Sequence, residues 1–321
     1  MMQTKEPSFN GSSEVAERGS HSATSDRPYK FVLKGAAFFF GAVVLVFVWS
    51  VLQAAWPALR QNGFHLITGT SWVAGGNGPF GAFALIADTL ITTLIALLIA
   101  VPIGISSALA LLFLVPPKFR TIGASLVELL AAVPSVVYGL WGLWYLTPWL
   151  SHTVQPFLAG ITGSQFPFSG PQQGFSLLLA GIVLSVMILP TIVAISRDVI
   201  SVVPVDLIEG GLSLGATRSQ VFTKVILPTS KTGIMGAIVL GAGRALGETI
   251  AVAMVIGSNI QMPKSLFSTG GTLASTIATE FGDASGNTGA ALAALALILM
   301  VITASVNAFA RVLTNRAKAT A

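Results

Sequence analysis

The chain has 321 residues, of which 53% are apolar and only 9% are charged, and its formal net charge is +5. This composition is typical of a membrane protein and excludes an ordinary soluble domain. Cysteine is absent and the three histidines are scattered, which excludes disulfides, cysteine-ligated metals and a histidine-rich metal site. Because the basic residues sit beside apolar stretches, membrane topology explains the positive charge better than nucleic-acid binding does.

Six apolar stretches follow one another along the chain, each long enough to cross a bilayer, which takes about 20 residues. Backbone groups in lipid must bond to one another, so we expect these spans to be helices. The predicted spans cover residues 31–56, 82–115, 122–146, 175–195, 232–256 and 288–312. Pro102 is expected to kink the second of them. The sequence therefore predicts an all-α integral membrane protein with about six transmembrane helices.

The chain divides into four predicted parts. Residues 1–30 have no apolar periodicity and predict a disordered cytoplasmic tail, not a cleaved signal peptide. Residues 31–81 hold the first transmembrane helix and an extracytoplasmic loop. Residues 82–313 form the main transmembrane domain, and residues 314–321 form a basic cytoplasmic end.

The distribution of lysine and arginine predicts the orientation of the chain. The two ends and the second and fourth connections hold nearly all of these residues, whereas the other three connections hold only Arg60 and Lys264. By the positive-inside rule, both termini are expected to be cytoplasmic. The connection at residues 196–231 is expected on the same side.

This connection, residues 196–231, is the longest charged passage between two apolar spans. Asp206 and Glu209, three residues apart, predict a capping box that starts a short helix by satisfying its first free N–H groups. Gly215 is suited to end that helix in the left-handed conformation. The passage therefore predicts a folded segment rather than a simple tether.

A second short helix is predicted directly after the first. Thr217 and Gln220 form another capping box, and Pro228 is expected to stop the helix. Gly210 and Gly211, on the first helix, let another surface approach closely. Two short helices joined by glycine indicate a docking surface, although the pattern is also compatible with an ordinary long loop.

Ionisable residues within spans cost roughly 2.5–3.5 kcal/mol each on insertion scales, so each is a candidate functional residue. Asp88 lies near the outer start of the second span, where we interpret it chiefly as an interfacial group in water. Glu128 lies in the third span. It is either a buried carboxyl paired across the helix bundle or a residue of a transport pathway.

The fifth span holds an arginine and a carboxylate four residues apart, Arg244 and Glu248, which predicts that they share one helical face. Gly243 and Gly247 would allow close helix packing beside them. One interpretation is a buried salt bridge that only fixes packing, although such pairs are often replaceable by apolar groups. The other is an anion pathway, because arginine offers a planar fork of donors that fits phosphate. A carboxylate could then accept hydrogen bonds from phosphate O–H groups, which sulfate lacks.

The same span carries the letters GAGRALGET, residues 241–249, which faintly resemble a phosphate-binding P-loop. Glu248 stands where the lysine of that motif belongs, the glycine spacing differs and no strand precedes it. We therefore expect no nucleotide site and no ATPase in this chain.

A family resemblance lies in the fourth connection. Glu209-Gly210-Gly211, followed by Gly215 and then by Val-Ile-Leu-Pro at residues 225–228, resembles the EAA loop of ABC importer permeases. This chain departs from the family pattern by having glycine at both alanine positions and valine in place of isoleucine. In the family, the loop docks into a cleft on a separate ATP-hydrolysing subunit.

Three further segments, at residues 83–111, 128–144 and 243–257, are similar to the C-type permeases of phosphate-specific ABC importers. The A-type permeases of the same systems usually continue with Ala-Pro after the Gly-Glu of the last segment, where this chain has Thr249 and Ile250. The resemblance covers about residues 80–312.

The resemblance implies a type I ABC importer permease fold with a cytoplasmic coupling helix, in a prokaryotic plasma membrane. It implies four kinds of partner: an A-type permease, a dimer of ATP-binding subunits that holds ATP and Mg, an extracytoplasmic phosphate-binding protein, and phosphate itself. No cofactor is expected in this chain. The implied substrate pathway includes Arg244, Glu248 and Glu128. The residues implied in coupling to the ATPase are Asp206, Glu209, Gly210, Gly211, Gly215, Ala216, Thr217, Leu227 and Pro228.

Three other functions are alternatives to a phosphate permease. A permease of the same superfamily could carry another oxyanion, such as molybdate or sulfate. A secondary transporter would more typically show inverted repeats and helices broken at the midplane, of which the sequence gives no convincing pair. An intramembrane enzyme would need a nucleophile and a base, and no such arrangement of residues stands out.

Overall fold

The computed structural model describes residues 26–73, 80–163 and 165–319. Within these ranges the regular secondary structure is helical, apart from one isolated β-bridge between Trp72 and Phe80. The helices are α1 (Asp26–Asn62), α2 (His65–Thr68), α3 (Phe83–Leu109), α4 (Pro117–Ala132), α5 (Ser135–Trp141), α6 (Thr147–Trp149), α7 (Gln155–Thr162), α8 (Leu177–Ser201), α9 (Val205–Ser213), α10 (Arg218–Val221), α11 (Leu227–Leu246), α12 (Ile250–Ile256), α13 (Leu273–Glu280) and α14 (Asn287–Ala319). Four π-helical turns extend or join them, at Ala110–Leu114, Gly142–Leu146, Leu150–Val154 and Phe222–Ile226.

Five helical stretches in the described part of the chain are long and apolar enough to cross a membrane: Lys30–Asn62, Phe83–Leu114, Leu177–Ser201, Arg218–Leu246 and Asn287–Val312. A sixth span is a broken one, because Pro117–Ala132 and Ser135–Ile161 pass the same test together but meet at an angle of 89°. The predicted all-α fold with about six spans is therefore confirmed.

The third span differs from its prediction. A single helix was expected over residues 122–146, followed by a loop, but the chain bends sharply at Val133 and Pro134 and then stays helical as far as Thr162. The break arises because Pro134 has no N–H to continue the hydrogen-bond ladder of α4. The apolar residues beyond Leu146 contain no charge that would mark the helix end.

Pro228 does not stop a helix, contrary to the prediction. The chain is helical from Arg218 to Leu246, with Pro228 in the first turn of α11 directly after the π-helical turn Phe222–Ile226. A π-turn shifts the hydrogen-bond register by one residue, so the missing proline N–H is accommodated there. We call residues 196–231 the docking segment. Its last part, from Arg218 onward, is consequently continuous with the fifth span.

The first helix begins at Asp26, within the residues that the sequence assigns to the tail, and residues 1–25 lie outside the described part. By its internal contacts the chain forms two units, one ending at Gln53 and the other running from Ala54 onward. In the first unit, aromatic side chains such as Phe38, Phe39 and Phe40 are exposed, as a lipid-facing helix requires.

The core of the second unit is built around the contact of α3 with α8. Two glycines let these helices approach closely: a Cβ atom added at Gly181 would lie 2.6 Å from Cβ of Ile95, and one at Gly104 would lie 2.8 Å from Cγ2 of Ile192. Small residues are a common means of bringing membrane helices together. The contact fixes α8, which carries several residues of the candidate site.

This packing predicts a loss of stability on Gly181→Ala. The added methyl group meets the β-branched side chain of Ile95, so we expect the free energy of unfolding to fall by about 1–3 kcal/mol. Gly236→Ala on α11 is the matched control, because a Cβ atom there meets nothing within 4 Å. Thermal unfolding of the purified chains in detergent gives the comparison. Equal melting temperatures for the two variants would contradict the proposed contact.

Candidate functional site

The fifth span is broken between Arg244 and Glu248. Helix α11 ends at Leu246, Gly247 has φ −91° and ψ 0°, and α12 begins at Ile250. The expectation that the two charged residues share one continuous helical face is therefore wrong. Glycine weakens the helix at this point, and Glu248 offers an alternative bonding pattern, since its Oε1 accepts a hydrogen bond from the Ala251 N–H at 3.2 Å.

Arg244 is half-buried, and its Nη1 donates a hydrogen bond to Oγ1 of Thr191 on α8, at 3.1 Å. Within the described residues, no ion pair joins Arg244 to Glu248. The structure thus lacks the salt bridge that would have given the pair a purely packing role. A guanidinium held by one neutral hydroxyl keeps donors available for an anion.

The side of α11 that carries Gly243 and Gly247 is open. A Cβ atom at Gly243 would meet nothing within 4 Å, and one at Gly247 would meet only the carbonyl oxygen of Gly243, at 3.5 Å. Leu240, on the same side, is exposed. The predicted close packing beside the charged pair is therefore absent from the described part of this chain, and the surface is free for another chain.

The break at Pro134 lies next to α12. Tyr138 donates its hydroxyl hydrogen to the Leu130 carbonyl at 2.7 Å, which satisfies the acceptor that the proline N–H cannot reach. One turn on, a Cβ atom at Gly139 would be 3.0 Å from Cα of Ala251, so α5 and α12 are in close contact. The two helices that follow the two breaks therefore pack against each other.

Glu128 lies on α4, before the break. Its side chain is 62% exposed, and its Oε1 is 3.5 Å from Nη2 of Arg197, whose side chain is 20% exposed. Arg197 also contacts Asp198 at 3.0 Å. The interpretation of Glu128 as a buried carboxyl is wrong, because no residue of α4 is buried, but the pairing with another helix is present through Arg197.

Asp88 is fully buried and is not an interfacial group in water, as the sequence had suggested. Its Oδ2 accepts a hydrogen bond from the Gly271 N–H at 3.0 Å, and the neighbouring Thr89 accepts one from the Leu273 N–H at 3.0 Å. Gly270 approaches the carboxylate too closely for any side chain to be added there. The connection between α12 and α13 is thereby fixed to α3, and it also holds the end of α12, since the Gly270 N–H donates to the carbonyl of Ile256 at 3.1 Å.

A second contact joins Trp72 to Glu280, at the end of α13. The indole N–H donates to the carboxylate, with Nε1 of Trp72 at 2.9 Å from Oε2 and 3.1 Å from Oε1 of Glu280. Burial raises the pKa of the Glu280 carboxyl above its ordinary value, and the hydrogen bond from Trp72 partly offsets this shift. The carboxyl is therefore protonated at a higher pH than an exposed glutamate.

This geometry predicts a pH-dependent signal from Trp72. As the pH falls through the raised pKa, Glu280 gains a proton and the indole loses its charge-assisted hydrogen bond, so tryptophan fluorescence should change above the pH at which an exposed glutamate titrates. Because the folded state binds this proton more tightly than the unfolded state does, stability should fall as the pH rises through the same pKa. Both effects should be absent in Glu280→Gln. A transition that persists in the variant would assign the signal to another group.

The segment between the fourth and fifth spans forms the predicted short helix α9, Val205–Ser213, but not with the predicted first cap. The N-cap position is Pro204, and neither Asp206 nor Glu209 makes a side-chain cap there. The first turn is instead closed by the backbone, since the Leu207 N–H donates a hydrogen bond to the Pro204 carbonyl at 3.2 Å. Among the described residues, neither carboxylate has an ion pair.

The connection after α9 agrees with the prediction. Gly215 has φ +83°, in the left-handed region that glycine favours, and the capping box of Thr217 with Gln220 is present in both directions, at 2.8 and 3.3 Å. Leu214, directly before Gly215, is 91% exposed, and Val205, Leu207 and Leu212 of α9 are exposed as well. A group of exposed apolar residues on one short helix is a surface suited to a partner protein. Of the nine residues predicted to couple, seven lie on or beside this segment: Asp206, Glu209, Gly210, Gly211, Gly215, Ala216 and Thr217. Leu227 and Pro228 begin α11.

Three residues of the site were missed by sequence reasoning. Thr191, the hydroxyl partner of Arg244, lies next to Pro190 in an apolar run and has no sequence signal of its own. Tyr138 follows Pro134 by four residues, which is the spacing at which a side chain can reach the acceptor freed by the proline. Arg197 was counted only as a loop charge, although α8 continues to Ser201.

A profile of the family described as "Binding-protein-dependent transport system inner membrane component" matches residues 100–319. The chain is 43% identical over 316 residues to a protein of Mesorhizobium japonicum named "Phosphate transport system permease protein PstC", covering 94% of this chain and 95% of that one. A protein of the same name from Pasteurella multocida is 42% identical over 271 residues, covering 83% and 84%. Among solved structures, the MetNI methionine ABC transporter in an inward-facing conformation matches with a TM-score of 0.51 and 18% identity, over 74% of this chain and 94% of that one.

The sequence predicted no pair of broken helices, which disfavoured a secondary transporter. The structure contains breaks at Pro134 and Gly247. Helix breaks alone do not separate the two classes of transporter. The match to the family profile and the similarity to the named relatives do separate these classes. The solved structure independently supports the fold. The chain belongs to the family of binding-protein-dependent inner membrane transport components and, within it, to the PstC permeases.

Proposed function

We propose that this chain is the permease subunit of an ATP-driven importer and that it translocates inorganic phosphate together with a second, A-type permease subunit. The names of the relatives support phosphate as the substrate. The observation that carries the proposal is Arg244, an intramembrane guanidinium without a carboxylate partner in the described chain, placed beside a helix break. The permease itself performs no hydrolysis, and ATP and Mg are bound by a separate ATPase dimer.

Phosphate is bound in this proposal by the free donors of Arg244, whose charge cannot be lost by deprotonation. Thr191 holds the guanidinium in place from α8. Glu248, on the other side of the break, accepts a hydrogen bond from a phosphate O–H group and repels fully ionised anions. The open glycine side of α11 faces the second permease, so the pathway runs between the two subunits.

Along α8, Thr191 is followed two turns later by Arg197, which pairs with Glu128. We propose that this pair lies at the cytoplasmic exit of the same pathway. The orientation follows from the positive-inside rule, with both termini and α9 in the cytoplasm. An extracytoplasmic phosphate-binding protein then delivers the substrate to the outer loops.

Coupling to ATP is proposed to run through α9. Its unpaired carboxylates and the exposed Leu214 dock into the ATPase dimer, and closure of that dimer moves α9. The movement passes through the short connection at residues 214–217, and from there the helix is continuous from Arg218 to Leu246, which leads to Arg244. The break at Gly247 lets α12 keep its contact with α5 while α11 moves.

The substrate is tested by competition. The chain, its A-type partner, the ATPase and the binding protein are reconstituted in liposomes, and ATP-driven uptake of labelled phosphate is measured with unlabelled phosphate, sulfate or molybdate in excess. We expect only phosphate to compete. Strong competition by sulfate or molybdate would reassign the permease to another oxyanion.

The role of Glu248 is tested in the same assay with Glu248→Gln. The amide keeps the size of the side chain but no longer repels an anion that lacks an O–H group, so sulfate competition should rise. Unchanged selectivity would remove Glu248 from the recognition of the substrate.

A further inference from the structure

A cavity of about 230 Å³ lies where three elements meet: the end of the second span, the start of α4 and the docking segment. Arg120 and Arg218 line it from opposite elements, and no carboxylate lines it. In the part of the chain that the structure describes, neither guanidinium makes an ion pair. Two positive charges thus face one cavity without compensation.

The side chain of Arg120 is oriented by a hydrogen bond to the backbone. Its Nε donates a hydrogen bond to the carbonyl of Val115 at 2.9 Å, just before two consecutive prolines, Pro116 and Pro117. This bond engages only Nε of the guanidinium group, so the N–H groups of Nη1 and Nη2 remain available to a ligand. A guanidinium fixed in this way loses little conformational entropy when it binds a phosphate group with two parallel hydrogen bonds.

The remainder of the cavity is apolar. Phe113 and Phe222 pack against each other with their ring centroids 5.1 Å apart and their planes tilted by 41°, and Ile208 and Leu212 of α9 add aliphatic surface. An inorganic ion makes no favourable contact with such a wall. A ligand that combines a phosphate group with hydrocarbon contacts both the guanidinium groups and the apolar side chains.

Helix α4, which contributes Arg120 to the cavity, also has an exposed apolar stripe. The stripe recurs at helical spacing and begins at the residue before Arg120; its members are Phe119, Ile122, Leu126 and Leu129. Helix α4 is bent by 89° from the rest of its span, and a basic start with an apolar stripe is the pattern of a helix that lies along a membrane interface. Acyl chains that cover this stripe therefore lie next to Arg120, which lines the cavity.

From these observations we infer that the cavity binds the phosphodiester headgroup of an anionic phospholipid, with Arg120 and Arg218 on the phosphate and the Phe113–Phe222 pair against the acyl chain. Basic pockets between membrane helices are known to favour such lipids. The lipid would join α4 to α9. If the proposed function holds, an anionic lipid at this place strengthens the coupling of ATP hydrolysis to transport.

The test measures lipid retention directly, so that it does not depend on phosphate transport. The assembled transporter is delipidated, exposed to phosphatidylglycerol mixed with phosphatidylcholine, and analysed by native mass spectrometry. We expect Arg120→Gln and Arg218→Gln each to weaken phosphatidylglycerol retention roughly fivefold, as for the loss of one basic contact at a membrane surface. Lys118→Gln is the matched control, because Lys118 lies on the same helix but does not line the cavity.

A second variant protects the result from a folding defect. Arg218→Lys keeps the charge, so it should retain most of the lipid, and its melting temperature should match that of the parent. Equal retention by all variants would overturn the inference. Displacement of the lipid by added inorganic phosphate would assign the cavity to the free ion. Loss of the ATPase subunit from the glutamine variants, with lipid retention intact, would instead assign it to a protein interface.

Discussion

Replacing Arg244 with glutamine is expected to reduce ATP-driven phosphate uptake roughly ten- to hundredfold, the loss that follows from removing charged hydrogen bonds to a desolvated anion. The residue has no carboxylate partner among the described residues, so the change leaves no buried charge uncompensated within the chain, and the assembly should persist. Uptake into liposomes that hold the complete transporter measures the effect. The amount of co-purified ATPase shows whether the complex is intact.

Thr191→Val provides a graded comparison for this prediction. It removes only the neutral hydrogen bond that orients the guanidinium, so uptake should fall by roughly fivefold, the value of one such bond. A loss as large as that of Arg244→Gln would indicate a packing defect at α8. Full uptake by Arg244→Gln would return this arginine to a structural role and leave the importer without a known phosphate ligand.

The second large effect is expected at the docking segment, where Gly210→Trp should abolish uptake. A Cβ atom at Gly210 meets nothing within 4 Å, so the indole has room in the isolated permease but would occupy the surface at which the ATPase docks. ATPase retention on the purified permease and uptake by the reconstituted assembly should both be lost, while the melting temperature of the permease alone stays unchanged.

Gly210→Ala is the control for this substitution. Alanine is the residue that the EAA pattern places here, and in an exposed helix it is worth roughly 0.5–1 kcal/mol over glycine. Uptake should therefore be preserved and stability slightly increased. If Gly210→Trp binds the ATPase and transports normally, α9 is not the coupling surface.

Much of the fold was predictable, because the physical rules for membrane helices are strong. The lengths of the apolar stretches predicted six spans, and helices were expected because lipid cannot bond to exposed backbone groups. Local chemistry alone predicted the left-handed Gly215 and the capping box at Thr217. The two helix breaks were not found. The break at Pro134 was missed because apolar residues lie on both sides of it. The break at Gly247 was missed because the charged pair around it has helical spacing.

The burial of individual charged side chains was the least predictable property. Asp88 near a helix start suggested an interfacial carboxylate, but the connection between α12 and α13 covers it through Gly270 and Gly271. For Glu128 one of the two interpretations was a buried carboxyl, but no residue of α4 is buried. Exposure depends on how other segments pack around a residue, and the hydropathy of the local sequence contains no information about that.

The most direct test of the central proposal uses the absence of cysteine from the natural chain. Gly247→Cys places a single thiol beside Arg244 and Glu248 at an exposed position where a Cβ atom meets nothing closer than 3.5 Å. The rate of its modification by a water-soluble thiol reagent is measured in the assembled transporter, with Gly236→Cys as the control. If phosphate passes this site, phosphate but not chloride should slow modification at position 247 and leave position 236 unaffected. An equal rate with and without phosphate would contradict the proposed pathway.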